Sequence, residues 1–306
     1  MRALRLIVLG LCLAVPGVAT AESSAPADWY FHVDLDRMRS EPAGRGVYAW
    51  LEDEVFDGIE QDTGVDVGAE LDAVTALSVR EQGAIVVMSG DFSQDTKDRL
   101  MVFLAAEGDI SPLKSSGKSY FRLGDGERQV TLDDAGIRFD LAPEDDAWIS
   151  LDVRGKILVT SSEDQMKALL AKNGKTPGVD ANGGALLVLS AEKTLLQASM
   201  DGGLLGNDGA SDWDSSILRN AEQVAFLLAA KAGKIALEAT FVTEDREIAE
   251  SLASVARGLI SLVSFDGSLD PGAAAMLQSI KIDVSGNALS LSLAVDPDLV
   301  VRILSE

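Results

Sequence analysis

Two stretches of this chain can be laid on one another without a gap at a constant separation of 150 residues. They are "DAVTALSVREQGAIVVMSGDFSQDTKDRL" (Asp72 to Leu100) and "EQVAFLLAAKAGKIALEATFVTEDREIAE" (Glu222 to Glu250). Val74 to Val79 then falls on Val224 to Ala229, Gly83 on Gly233 and Ser93 on Thr243. Such a repeat constrains the fold strongly, because the structure one copy forms must be open to the other. Each copy reads as a strand, a Gly-containing turn, a second strand, and a helix opened by a hydroxyl side chain that can accept from free helical N–H groups. The helix after Thr243 carries Ile248, Leu252, Val255, Leu259 and Leu262 at steps of three and four, which places them on one face.

Another strand and helix precede each hairpin. Trp29, Phe31, Val33 and Leu35 alternate with Tyr30, His32 and Asp34, the period of a strand with one buried face. Val47, Leu51, Val55 and Ile59 predict a helix that Thr63 and Gly64 end. In the second copy Ala185 to Ser190 predicts the strand, with a helix from Glu192 to Met200, from Ser216 to Glu222, or both. Aligning these first strands takes a separation of 156, which sets Phe31 on Leu187, His32 on Val188, Asp34 on Ser190, Asp36 on Glu192 and Arg37 on Lys193.

Beyond the hairpins, "SPLKSSGKSYFRL" matches "IKIDVSGNALSLSL", each a hairpin around Ser-Gly, and "KILVTSSEDQMKALL" resembles "LSLSLAVDPDLVVRIL". Ser162 and Gln165 predict a capping box, and Asp296 predicts a cap with Pro297 at the first helical position. The first copy holds additional strands, from Gln129 to Leu141 and from Trp148 to Val153. The expected class is α+β: two diverged β-α-β-β-α-β repeats of the ferredoxin-like, split βαβ kind, with extra antiparallel strands in the first half. The Gly-, Pro- and Asn-rich "NGKTPGVDANGG" (Asn173 to Gly184) divides a first half, residues 22–178, from a second, residues 179–306.

Residues 1–21 read "MRALRLIVLGLCLAVPGVATA", with Arg2 and Arg5 before an apolar run and small residues at Ala19 and Ala21. This is the pattern of a secretory signal peptide cut after Ala21, so a periplasmic or secreted protein is expected. The run is shorter than the about 20 residues a spanning helix needs. A lipid-attachment site at Cys12 is disfavoured, because Leu11 stands where a small residue is wanted. Cys12 is the only cysteine, so the cleaved chain has no disulfide, thiolate nucleophile or Cys-ligated zinc. Cleavage removes two of the 26 basic residues and none of the 49 acidic ones, leaving a net charge of −25. That balance argues against nucleic acid and anionic lipid surfaces, both bound through Lys and Arg.

The one histidine, His32, is followed by Asp34 and Asp36. His32 and Asp34 share a strand face, and imidazole with carboxylate is a possible metal-ligand set. The repeat favours a structural explanation, since Asp and Ser are interchangeable as helix caps but not as ligands, and an acidic residue in a first helical turn suits the helix dipole. Asn207, Asp208, Asp212 and Asp214 crowd one turn-rich loop with oxygen donors of the kind calcium takes, but outside the EF-hand register. No G-x-S-x-G elbow occurs, and His32 is the sole histidine base, so a serine hydrolase would need Lys or carboxylates. "GDGERQV" lacks phosphate-loop spacing. Four Trp and three Tyr are thin material for a sugar cleft, and Trp29, Trp50 and Trp148 are expected in the core.

The "VDLDRM" step from strand to helix and the "LDAVTALSV" strand give the chain a layout that resembles uncharacterised exported bacterial proteins made of two diverged α+β halves. The resemblance spans most of the cleaved chain and implies no activity. The expected function is a non-enzymatic, exported, periplasmic binding or interaction protein of the cell envelope. Its expected partner is an envelope protein or a small apolar ligand, with no cofactor, no nucleic acid and no transmembrane segment after cleavage. "ARGLISLVSF" (Ala256 to Phe265), apolar nearly all round, is the candidate surface. The alternative is a carboxylate-based hydrolase, with or without a divalent cation.

Overall fold

Alternation and hairpin turns dominate the chain, and they close into one sheet. The computed structural model describes residues 27–79, 82–107, 109–124, 129–132, 137–140, 147–176, 184–194, 196, 220–264 and 271–304. The first half runs β1 (Ala27–Asp34), α1 (Leu35–Ser40), α2 (Arg45–Leu51), α3 (Asp57–Thr63), α4 (Val67–Glu70), β2 (Leu71–Val79), β3 (Gly83–Gly90) and α5 (Gln94–Glu107). It continues through β4 (Ile110–Ser115), β5 (Lys118–Leu123), β6 (Gln129–Leu132), β7 (Ile137–Asp140), β8 (Ala147–Val153), β9 (Lys156–Thr160) and α6 (Glu163–Ala171). The second half holds β10 (Ala185–Glu192), β11 (Ala221–Lys231), β12 (Lys234–Thr243), α7 (Arg246–Ser264), α8 (Pro271–Gln278), β13 (Lys281–Ser285), β14 (Ala288–Val295) and α9 (Pro297–Leu304).

Twelve of the described strands form a single antiparallel sheet in the order β13-β14-β12-β11-β10-β1-β2-β3-β9-β8-β5-β4, while β6 and β7 make a separate two-stranded ribbon. The α+β class therefore holds, but the strand order is not that of a split βαβ unit. In that motif β3 would lie between β1 and β2, whereas here β1 pairs with β2 directly. The reason is the path of the helices. Asp34, at the end of β1, sits opposite Ala73 near the start of β2, so the chain leaves and re-enters the sheet at the same end without crossing over.

The register corrects the repeat by two residues at the first strands. β1 and β10 are both eight residues long, and their numbers differ by 158 rather than 156. Each carries an irregularity at the same place, between Ala27 and Trp29 against β2 and between Ala185 and Leu187 against β11. At that separation Phe31 corresponds to Leu189, and Phe31 is also paired with Leu189 across β1 and β10. A residue that faces its own counterpart lies on a local two-fold axis, so the halves are related like the subunits of an isologous dimer.

The separation of 150 holds along β2 and β11, whose bulges against the next strand fall between Leu71 and Ala73 and between Ala221 and Gln223. It then fails at the turn. Val79 pairs with Gly83 in one hairpin, but the other continues to a Lys231–Lys234 pair around Ala232 and Gly233, so Gly83 is not the equivalent of Gly233. The later match also shifts. β9 pairs with β3 and β14 with β12, and two-residue turns close both Val153–Lys156 and Ser285–Ala288. The hairpin β13–β14 is thus the counterpart of β8–β9, and the strands peculiar to the first half are β4 to β7.

Helices cover one face along its length. Trp29, Val33, Val74, Val86, Ile157, Ile235 and Val295 meet Leu35, Met38, Val47, Tyr48, Ile59 and Leu100 of α1, α2, α3 and α5 in one core. The expected helix from Val47 to Ile59 is present, with a π turn at Glu52–Phe56 joining α2 to α3, where the Asp57 N–H donates to the Glu52 carbonyl. A strict spacing of four overshoots the α-helical period, and the wider turn absorbs the drift. Gly64, left-handed at φ 69, closes α3 as the Thr63-Gly64 pair predicts.

α7 lies on the same face, where Leu252 and Ala253 pack with Ala191, Val224, Phe241 and Leu289. Its buried stripe is Ala249, Leu252, Ala253 and Ala256; Val255 and Leu262, expected on that stripe, are exposed. Small alanines let the helix sit close to the sheet, leaving the larger side chains at its flank. Among the described residues the opposite face is covered only in the first half, by α6. Its Met166, Leu169 and Leu170 pack on Tyr30, Leu77, Ile85, Val87, Tyr120, Leu158 and Val188. β1 is therefore buried on both faces in this region, not on one. The predicted capping box on α6 is absent: Ser162 makes no side-chain cap bond, and Gln165 Nε2 instead donates to the Gly83 carbonyl at 3.0 Å.

Gly90 marks the tightest crossing in the fold. The Asp91 N–H donates to the Glu70 carbonyl at 3.0 Å, and a methyl group on Gly90 would collide with that same oxygen. Both sides of the clash are backbone, so no rotamer relieves it. Gly90→Ala is expected to lower stability by about 2 kcal/mol or more, read as a shift of the denaturant midpoint at unchanged slope.

Candidate functional site

His32 and Asp34 leave β1 on the face opposite the main helical core, and each has a structural partner. The Asp34 backbone is extended, and its side chain accepts from the Arg37 N–H at 2.8 Å, the geometry of an N-cap on α1. Its other oxygen meets Arg37 Nε at 3.4 Å. Asp36 stands in the first turn of α1 with its side chain largely exposed, where a carboxylate complements the helix dipole. The capping role expected of Asp34 is thus present. That expected of Ser190 is not: Ser190 lies within β10, paired to Tyr30 on one side and Ala225 on the other. With the corrected separation the counterpart of Asp34 is Glu192, and that of His32 is Ser190.

His32 is half-buried. Its Nδ1 lies 2.9 Å from Thr75 Oγ1 on β2, its register partner. The Tyr30 ring stacks alongside, with centroids 6.5 Å apart and planes 10° from parallel. Burial holds the imidazole below its ordinary value, an effect that the nearby Asp34 charge opposes without cancelling. The ring is therefore neutral in the middle pH range and suited to share one hydrogen bond with a hydroxyl.

Among the described residues no group of three or more His, Cys, Asp or Glu side chains converges as a metal site. Asp208, Asp212 and Asp214, the calcium candidates, lie outside the described residues, as does Trp213. Trp29 is buried, as expected of a core residue, while Trp50 and Trp148 are only partly so and keep their indole Nε1 atoms buried without a partner.

Polar interactions that the sequence did not single out hold the sheet together around this region. Tyr120 donates to Glu163 Oε1 at 2.6 Å, and Lys167 meets the same carboxylate at 3.1 Å, fastening the start of α6 to β5. Lys118 Nζ donates to the Leu170 carbonyl and Lys156 Nζ to the Gly174 carbonyl, satisfying oxygens at and beyond the end of that helix. Spacing could announce only the Glu163–Lys167 pair, four apart on α6; the partners in the other three bonds are 18 to 52 residues apart in sequence.

Fold and site together define an α+β protein built on a large antiparallel sheet of twelve strands with several helices packed on it. No family model matches the chain, and no curated protein matches it. Among solved structures it is similar to crystal form IV of TP0453, at 11% identity and a TM-score of 0.48, covering 92% of this chain and 94% of that one. Crystal form III of TP0453 matches at the same identity and TM-score, over 94% and 99%.

The cap assignment for Asp34 has a direct test. Asp34→Ala should cost about 1 kcal/mol, whereas Asp34→Ser, which keeps a capping oxygen, should cost a few tenths. Equal losses in the two variants, measured by chemical denaturation, would argue that the carboxylate does something a hydroxyl cannot.

Proposed function

We infer that this is a non-enzymatic, exported protein of the cell envelope that acts by binding, its partner an envelope protein or a small apolar ligand. The observation that carries the reading is the commitment of the one His-Asp constellation to the fold: His32 to Thr75, Asp34 to the N-terminus of α1 and to Arg37. An acid-base pair or a ligand set needs groups with free lone pairs aimed at a shared point. The export half of the reading rests on the signal peptide pattern of residues 1–21 and on a cysteine-free cleaved chain. Among the described residues no helix is long and apolar enough to cross a membrane.

Support for binding comes from apolar side chains on helix surfaces. Val102 on α5 is 71% exposed, and Val255 and Leu262 on α7 are 47% and 69% exposed. Val102 and Val255 lie on the helices that follow β3 and β12, whose N-termini are capped by Ser93 and Asp245 through the Thr96 and Ile248 N–H groups. Large exposed aliphatics on the helix that follows each hairpin are a natural contact for a partner.

Two measurements test the reading. The intact mass of protein recovered from the periplasmic fraction should correspond to a chain beginning at Glu22; recovery of the uncut chain in the cytoplasm would sink the export assignment. In-cell crosslinking through a photoreactive group at Val255, with native mass spectrometry for small apolar ligands, should yield a defined adduct or bound mass. If both are empty while calcium or magnesium raises the melting temperature, and Asp208→Asn with Asp212→Asn and Asp214→Asn removes that rise, the cation-dependent hydrolase becomes the better reading.

A further inference from the structure

His32 is the only imidazole in the chain and sits one residue from the local two-fold axis. Across β1 it faces Val188 of the second half on one side and Thr75 of its own half on the other. The groups sharing its face can be named strand by strand. From β1 they are Tyr30 and Asp34; from β2, Ala73, Thr75 and Leu77; from β10, Val188 and Ser190. α6 is the helix packed on this face, and its Glu163 and Lys167 are occupied with Tyr120 and with each other. Asp34 is thus the one charged side chain beside the ring on these strands, and it is already bound to the N-terminus of α1 and to Arg37.

We propose that the junction between the two halves is an acid-responsive joint, in which a proton on His32 loosens the centre of the β1–β10 ladder. The neutral ring accepts one hydrogen bond at Nδ1 or donates one to Thr75. The imidazolium must donate from both nitrogens, and Thr75 can take only one of them. The added charge then has two outcomes. Either it stays half-buried beside Val188, with Asp34 held by Arg37 and offsetting only part of the cost of burial, or it draws Asp34 away from the Arg37 N–H and strips α1 of its cap. Both weaken the point where β1 pairs with the second half and hands over to the helical layer.

The sign follows from the depressed basicity of the ring. A histidine held below its ordinary value takes up its proton at lower pH in the folded chain than in the unfolded one. Its contribution is complete above about pH 6.5 and is lost as the pH falls from there toward the folded value. The joint is therefore closed at neutrality and strained in acid.

A single histidine makes the test clean, because its ring proton resonance needs no assignment. That resonance is titrated by NMR in the full chain, and amide exchange of Trp29 to Val33 and Leu187 to Ala191 is followed over the same range, corrected for intrinsic rate. On going from about pH 7.5 to about pH 5.5, exchange in these strands should rise roughly fivefold or more, while β13–β14 at the far edge stays unchanged. The rise should share its midpoint with the ring and be absent in His32→Gln. Equal protection at both pH values, a midpoint that does not follow the ring, or the same rise in His32→Gln would overturn the proposal. The midpoint comparison uses the unaltered chain, so the result stands even if the variant folds poorly.

Discussion

The antiparallel ladder between β1 and β10 is the interaction on which everything else depends. It runs from Trp29–Ala191 to Val33–Leu187 and is the strand pairing that joins the two halves. Without it the first strand of each half would be an exposed edge with unpaired N–H and C=O groups, the usual template for aggregation. Because the pair is symmetric about Phe31–Leu189, each half supplies for the other the neighbour it lacks. That is the economy of an isologous interface, here built within one chain. The outer strands are handled differently. β4 carries Pro112, and β13 carries Lys281 and Asp283, with the Ile282 carbonyl taken by Arg257 at 3.2 Å. These are the devices by which natural sheets blunt an edge.

Symmetry in the strands does not extend to the helix that follows the last strand of each half. α6 and α9 both come after the last strand of their half, yet they lie on opposite faces. α6 brings Met166, Leu169 and Leu170 onto Leu77, Ile85, Val87 and Leu158. On the matching face of the second half, Ala225, Thr240, Ser290 and Asp283 stand in one cross-strand row, and Leu227, Glu238, Ser292 and Lys281 in the next. Fully burying a Leu or Met side chain is worth about 1.5–3 kcal/mol, and a row of Ser, Thr and charged groups offers a helix no such return. α9 instead packs its Val300 into the main core, with Val301 against Gly46 of α2. The strand side chains decide which face each helix takes.

Much of this was legible in the sequence, and the failures have specific causes. Hairpins, the long helices, the caps at Asp34 and Asp296 and the stop at Gly64 all followed from local chemistry, which acts over three or four residues. The first-strand alignment missed by two because period-2 burial repeats after every two residues, so separations of 156 and 158 put the same faces together. Only the bulges and the pairing partner distinguish them, and neither leaves a mark in composition. Gly83 and Gly233 matched because both serve turns, although the turns belong to hairpins of different length. Ser162 and Gln165 had the spacing of a capping box, but Gln165 reached the Gly83 carbonyl across 82 residues, a competitor no local rule can see.

The correction of two residues also changes what the His-Asp motif means. At a separation of 156 the counterpart of Asp34 was Ser190, and the match itself suggested a shared cap. At 158 the counterpart of Asp34 is Glu192 and that of His32 is Ser190, so the cap on α1 no longer rests on the repeat. It rests on the bond from the Arg37 N–H to Asp34. His32 likewise gains rather than loses distinction. Its counterpart is a small hydroxyl residue paired to Tyr30, so one side of the two-fold axis carries a titratable ring and the other does not. A symmetric seam would respond to acid in both halves or in neither; this one is sensitised on one side only, where Thr75 and Tyr30 hold the ring in place.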